Sequence, residues 1–188
     1  MSSDQDNLTW KRIEPTESKR VWYRTVVEKM FVLPDGEQHS FTTIGSENEH
    51  AGACIAITAD NKVIVAKQFR PGPEKVMFEL PGGGVEEGED PQTAVVRELA
   101  EETGYIPGNV QLLGTSCRDA YMNGTWHYYL ATDCVLSPDG QNLDEHEHID
   151  VCLISIDELL ENARNDLMTD AVAVLLAYET LAKLRSKA

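Results

Sequence analysis

Between residues 82 and 105 the chain runs through three glycines, an acidic loop and a stretch whose carboxylates recur at helical spacing. Gly82, Gly83 and Gly84 break regular structure and let backbone approach a ligand closely. Asp90 is a good helix N-cap, and Pro91 fits the first helical position. The spacing predicts a helix to about Thr103, stopped by Gly104. On such a helix, residues three and four apart share a face. Glu98, Glu101 and Glu102 therefore converge, while Val95 and Leu99 turn toward the core. Three carboxylates on one face repel each other unless cations neutralise them. Mg2+ and Mn2+ prefer closely spaced carboxylate oxygens. Arg97 offsets part of the charge and can pair with Glu89 in the loop. A solvated acidic face is the plainer reading of the helix alone. The glycine loop before it shifts the weight toward a metal site.

The rest of the chain reads as strands with two further helices. Arg20 to Leu33 is partly alternating and rich in Val, Trp, Tyr and Phe; Pro34-Asp35-Gly36 turns, and His39 to Ile44 returns. Gly45 to Gly52 is a polar joint, which divides a β subdomain at 1–48 from a main domain at 49–188. Strands are expected at Cys54 to Thr58, Lys62 to Phe69, Val76 to Leu80, Val110 to Cys117, Thr125 to Leu136 and Ile149 to Ser155. Ser155 and Glu158 resemble a capping box. Thr169 or Asp170 could cap a last helix whose core face is Val172, Leu175, Leu176 and Leu181. Mixed strands with helices on both sides predict an α/β/α sandwich, with a small N-terminal antiparallel sheet beside it.

Charge narrows the partners. The 188 residues carry a formal net charge of −16. Nucleic acids and anionic membrane surfaces are held mainly through Lys and Arg, so both are excluded as expected partners. A small phosphorylated ligand remains compatible if metal ions bridge the two sets of negative charge. No run of about 20 apolar residues is present, and Met1 to Asn7 lacks the apolar core of a signal peptide. Cys54, Cys117, Cys134 and Cys152 sit in apolar, strand-like surroundings without a CxxC pair. Buried free thiols in a reducing cytoplasm are the expectation.

The stretch from Gly83 to Tyr105 resembles the Nudix box, G-x5-E-x7-R-E-U-x-E-E-x-G-U, with U a bulky apolar residue. Gly83, Glu89, Arg97, Glu98, Leu99, Glu101, Glu102 and Gly104 fill its slots. Tyr105 fills the last, usually aliphatic, position. Lys67 to Arg70, Phe78 to Gly83 and the acidic loop Asp144 to Val151 are similar to the ADP-ribose and ADP-sugar pyrophosphatase branch. That branch usually carries a proline some fifteen residues past the box, and here the position holds Ala120. GDP-mannose, other nucleotide sugars and dinucleotides therefore stay open as substrates. A non-catalytic nucleotide sensor of the same fold would usually have lost box glutamates, and all are present here.

The resemblance implies metal-dependent hydrolysis of the pyrophosphate of a nucleoside diphosphate linked to a sugar. Glu98 and Glu102 would be the principal ligands of Mg2+ (or Mn2+), with Glu101 beside them as ligand or water-orienting group. The carbonyl of Gly82 would complete one shell. Glu89, Arg97, Gly83 and Gly104 would be structural. Glu147 is placed as general base, with Glu145 the second choice and Glu101 the third. Arg70 could clamp phosphate in its guanidinium fork or be an exposed strand-end arginine. Glu79 could support the metal, bind substrate or serve the strand. Trp10 and Trp22 could stack on a nucleobase or pack in a core or interface. Trp126 reads as structural, and His39, His50, His127, His146 and His148 are left out of catalysis. Related enzymes pair through an N-terminal sheet, which implies a homodimer.

Overall fold

A computed structural model describes residues 8–22 and 24–186. Met1 to Asn7, the polar N-terminal stretch, lies outside them. Residue contacts divide the chain into two compact units. One holds residues 1–49 with 117–125; the other holds 50–116 with 126–188.

The first unit is a three-stranded antiparallel sheet, β1 (Lys11–Val21), β2 (Arg24–Val32) and β3 (Gln38–Ile44), in the order β1-β2-β3. The single strand expected from Arg20 to Leu33 is instead the far end of β1, a turn and β2. The turn falls at Trp22, whose φ is 55° and whose side chain is 80 % exposed. β1 escaped the hydrophobic pattern because it is mostly charged and polar. Its pairing shifts register between Ile13 and Thr16, across Glu14 and Pro15. Proline cannot donate to a ladder, so it is tolerated at an edge bulge. Residues 117–125 join this unit through Asn123, whose amide donates to Thr43 Oγ1 and to the carbonyl of Gly45.

The second unit is an eight-stranded sheet between helices. Its main path runs β11 (Asp150–Ile154), β5 (Val63–Arg70), β4 (His50–Thr58), β10 (Thr125–Leu136) and β8 (Tyr105–Ile106). β6 (Lys75–Glu79) pairs with β5, β7 (Gly82–Gly84) with β4, and β9 (Asn109–Ser116) with β10. Successive strand residues face opposite sides. Ala53, Ile55 and Ile57 of β4, Val63 and Val65 of β5, and Tyr128 and Leu130 of β10 meet α2 (Ile156–Arg164) and α3 (Ala171–Arg185). Cys54, Ala56, Ile64, Tyr129 and Ala131 meet Val95 and Leu99 of α1 (Pro91–Thr103) on the other face. Both faces are covered, so β4 is apolar almost throughout rather than alternating. The expected α/β/α sandwich is the architecture.

Several local expectations are corrected. The three glycines do not break the sheet: Gly82, Gly83 and Gly84 pair with Ala53, Gly52 and Ala51. A Cβ on Gly82 would lie 2.2 Å from the carbonyl oxygen of Gly52, so only glycine permits this approach. On α3 the buried face is Ala173, Val174, Ala177 and Leu181, while Leu175 is 75 % exposed. α3 is apolar nearly all round, so periodicity alone could not choose its face, and the alanines allow close packing. Asp170 is the N-cap residue of α3, as expected, but its side chain makes no capping bond; its carboxylate instead accepts the N–H of Leu80. Ser155 does form the expected capping box with Glu158. Cys117 is exposed just beyond β9, and Cys152 is half-buried, because β11 lies at the sheet's margin; Cys54 and Cys134 are buried thiols. Among the described residues no helix is long and apolar enough to cross a membrane.

Candidate active site

The site is built on α1 and the strand beneath it. Asp90 accepts the N–H groups of Gln92 and Thr93, and Gly104 closes the helix at φ 74°. Val95 and Leu99 anchor the inner side at 1 % and 0 % exposure. That anchoring sets the rotation of the helix. Glu98 then lies over Gly83, where a Cβ would sit 2.5 Å from Glu98 Oε1. A side chain at Gly83 would thus push the Glu98 carboxylate from its present place. Glu102 is buried, and its carboxylate accepts the N–H of Gly82 at 2.9 Å.

Arg97 organises the outer side. Its guanidinium donates to Glu89 (3.1 and 3.2 Å), Glu98 (2.8 Å), Glu101 (3.0 Å) and the carbonyl of Gly84 (3.1 Å). The sequence reading paired it with Glu89 alone. As they stand, Glu98 and Glu101 are turned toward Arg97, and among the described residues no three His, Cys, Asp or Glu side chains form a ready metal cluster.

Electrostatics separate the carboxylates. Hydrogen bonds from Arg97 hold Glu89 below the usual carboxylate range. Burial pushes Glu98 up, against the opposing pull of Arg97. Glu102 is pushed up to about 8, first by burial and then by the charges of Glu98, Glu147 and Glu79; the Gly82 N–H offsets part of this. A buried carboxylate crowded by three others favours a proton or a cation. The donor set is therefore chemically suited to a divalent cation, which would require Glu98 and Glu101 to swing away from Arg97.

A second acidic group flanks the helix. Glu79, at the end of β6, is buried and accepts two bonds from Arg70, one of 2.6 Å from Nε, and one of 3.1 Å from Gln68. Arg70 is therefore engaged by Glu79 rather than standing free at a strand end. Gln68 was missed by the sequence reading; its place two residues before Arg70, on the same strand face, was the available signal.

Glu147 reaches the same cluster from the loop between β10 and β11, since its charge acts on both Glu98 and Glu102. It is half-buried, whereas Glu145 is exposed. The two tryptophans are not brought together. Trp10 packs with Phe41 (4.8 Å between ring centroids) and Phe31 (6.0 Å). Trp22 lies past the other end of β1, roughly 35 Å of strand away. His50 and His127, set aside in the sequence reading, approach to 3.0 Å between Nδ1 and Nε2. Burial and His50 both lower the basicity of His127.

The NUDIX domain family matches residues 48–173, which include the whole α1 site. The chain belongs to the Nudix family. It is 31 % identical over 144 residues to a methanol dehydrogenase activator of Bacillus methanolicus, covering 76 % of this chain and 77 % of that protein. It is 29 % identical over 140 residues to an ADP-ribose pyrophosphatase of Bacillus subtilis strain 168, covering 74 % and 75 %. The fold is similar to that of a crystallised ADP compounds hydrolase, with a TM-score of 0.75 over 92 % of this chain and 95 % of that one, at 22 % identity. The protein is a Nudix hydrolase whose box keeps every charged and glycine position, with Tyr105 in the last slot.

Proposed function

We propose that this Nudix hydrolase cleaves the pyrophosphate of a nucleoside diphosphate linked to a sugar, most closely ADP-ribose or an ADP-sugar. The products are a nucleoside monophosphate and a sugar phosphate. The observation that carries the reading is the buried carboxylate of Glu102 held on the Gly82 N–H, with Glu98 over Gly83 and with the charges of Glu98, Glu147 and Glu79 acting on Glu102. The relative named for ADP-ribose hydrolysis supports the substrate class. Ala120, in place of the branch proline, keeps GDP-mannose and other nucleotide sugars as the second reading.

Glu98 and Glu102, with Glu101 and the carbonyl of Gly82, would hold Mg2+ or Mn2+. When bound, the metal supplies charge stabilisation for the phosphoryl oxygens. The remaining work falls to the chain. Arg97 takes up Glu89 and keeps the helix joined to the glycine loop. Arg70, oriented by Glu79, offers its remaining guanidinium edge to substrate phosphate. Glu147 accepts the proton of the attacking water as its oxygen bonds to one phosphorus and the bridging P–O bond breaks. Glu147 suits this better than Glu101, which is tied to Arg97 and adjoins the ligands.

The same reading makes residues 1–48 a dimerisation and substrate-contact element and 49–188 the hydrolase domain. Trp10 and Trp22 are the candidates to stack on a nucleobase from the N-terminal sheet. The expected setting is the cytoplasm. The test is a nucleotide-sugar panel with and without Mg2+, in 18O-labelled water, with mass analysis of both products. Metal-dependent release of AMP from ADP-ribose is expected. Turnover of none of the panel in Mg2+ or Mn2+ would defeat the proposal.

A further inference from the structure

We infer that Gln141 is a positioning residue for Glu147, tying the loop that carries it to the end of the carboxylate helix. The inference rests on the reading of Glu147 as general base.

The last carbonyls of a helix have no partner within it. At the end of α1, Ala100 O accepts the Gly104 N–H, and the carbonyls of Glu101, Glu102 and Gly104 are taken by one loop. Gly104 O accepts the N–H of Ser137 at 2.8 Å, and Glu101 O accepts that of Asn142 at 2.8 Å. Glu102 O accepts Gln141 Nε2 at 2.7 Å. Two glycines let the loop lie directly on the helix end. A Cβ on Gly104 would come within 2.9 Å of the carbonyl carbon of Gly140, which itself has φ +69°. The box glycine thus ends the helix and also receives the loop.

Among these capping bonds, Gln141 alone uses a side chain. Its amide nitrogen also lies 3.4 Å from the carbonyl oxygen of Ile149, a longer and weaker contact. A primary amide has two N–H groups, so it can serve both carbonyls. One of these belongs to Glu102, in the carboxylate cluster. The other lies two residues past Glu147. Between them the loop closes on itself, with Asp144 N–H donating to the Glu147 carboxylate at 3.0 Å and Glu147 N–H to Asp144 O at 3.0 Å. The outgoing side of the loop keeps two backbone bonds to the helix without Gln141. The return side, nearest Glu147, keeps its β11 pairing from Asp150 onward but loses its link to Glu102. Gln141 therefore helps to set where Glu147 stands relative to the ligands while touching neither substrate nor metal. Its side chain is exposed, so removing it leaves both core clusters intact.

Displacing a reacting group by about 1 Å can cost roughly a hundredfold in rate. Gln141→Met keeps length and removes both donors; Gln141→Ala removes the arm. Each should lower kcat by roughly ten- to a hundredfold on the best nucleotide sugar. KM and the Mg2+ concentration for half-activation should stay within about twofold, since no ligand is moved. The deciding measurement is the double variant. In a Glu147→Gln background, Gln141→Met should cause no further loss, because the group it positions is already disabled. A full additional loss there, or a shift of Mg2+ half-activation in the single variant, overturns the inference and leaves the base assignment standing. A fully active Glu147→Gln protein overturns both. Circular dichroism checks folding, and if Gln141→Ala does not fold, Gln141→Met carries the test.

Discussion

The two sheets of this protein are built to opposite standards of burial. In the eight-stranded sheet, β4 alone places seven consecutive residues, Ala51 to Ile57, out of solvent. In the three-stranded sheet, Val27 is the one buried hydrophobic residue among those described. Its aromatic group of Trp10, Phe31 and Phe41 is only partly buried, and Val21 and Trp22 lie open. A sheet covered on both faces has its own core, and here that core anchors α1 through Val95 and Leu99. A sheet with so little buried surface is marginal alone, which is why an interface role is proposed for it. The proposed site sits on the well-buried sheet.

The largest expected effect lies at the precise end of that contrast. Glu102→Gln should cut kcat by several orders of magnitude while the protein stays folded, because Gln can still accept the Gly82 N–H. Near-normal kcat at saturating Mg2+ would remove Glu102 from the metal site. Next, Glu147→Gln should lower kcat by about 10²–10⁴-fold with little change in Mg2+ affinity, and Glu145→Gln far less. If steady-state kinetics rank Glu145 above Glu147, the base lies two residues earlier.

The third test sets the two sheets directly against each other. Leu99→Ala, at the buried contact under α1, should cost about 2–5 kcal/mol in denaturant unfolding. Phe31→Ala in the small sheet should leave that transition nearly unchanged and instead convert a dimer to monomer by light scattering. A wild-type monomer at micromolar concentration would sink the interface half of the comparison.

The smallest effect is on pH dependence without metal. The fold raises Glu102 to about 8. Its protonated form is thus favoured by folding, and that contribution is full below the usual carboxylate range and lost as pH rises through 8. In chelator, Tm should decline between pH 5 and pH 8.5. Glu102→Gln should flatten the decline, and Mg2+ should raise the wild-type Tm most at the alkaline end. A flat wild-type profile in chelator would show that Glu102 is solvated.

Much of this was legible in residue order. The helix bounds, the Asp90 cap, the Gly104 stop and the shared face of three glutamates follow from local backbone rules that act over four residues or fewer. The strands β5 and β10 were also legible as short runs rich in β-branched and aromatic residues, although burial does not alternate in them: Val63 to Ala66 and Tyr128 to Ala131 are each buried in succession, because both faces of the sheet are covered. The charged β1 was not legible, since pairing with β2 holds it rather than any apolar stripe. The buried face of α3 was not legible either, because an almost wholly apolar helix has no preferred side until its neighbours are known.

The sequence by itself determined the α1 helix and the set of carboxylates on it. Only tertiary structure decided how those carboxylates differ. Glu89 and Glu102 are the same side chain thirteen positions apart, yet Arg97 lowers one and burial raises the other. Glu147 approaches the helix from a loop forty-five residues past Glu102, joined through Gln141 and the carbonyls that end α1. Spacing along a chain encodes which groups share a helix face. Dielectric environment and the meeting of distant segments depend on what packs where, and those exist only once the sheet has closed over its core.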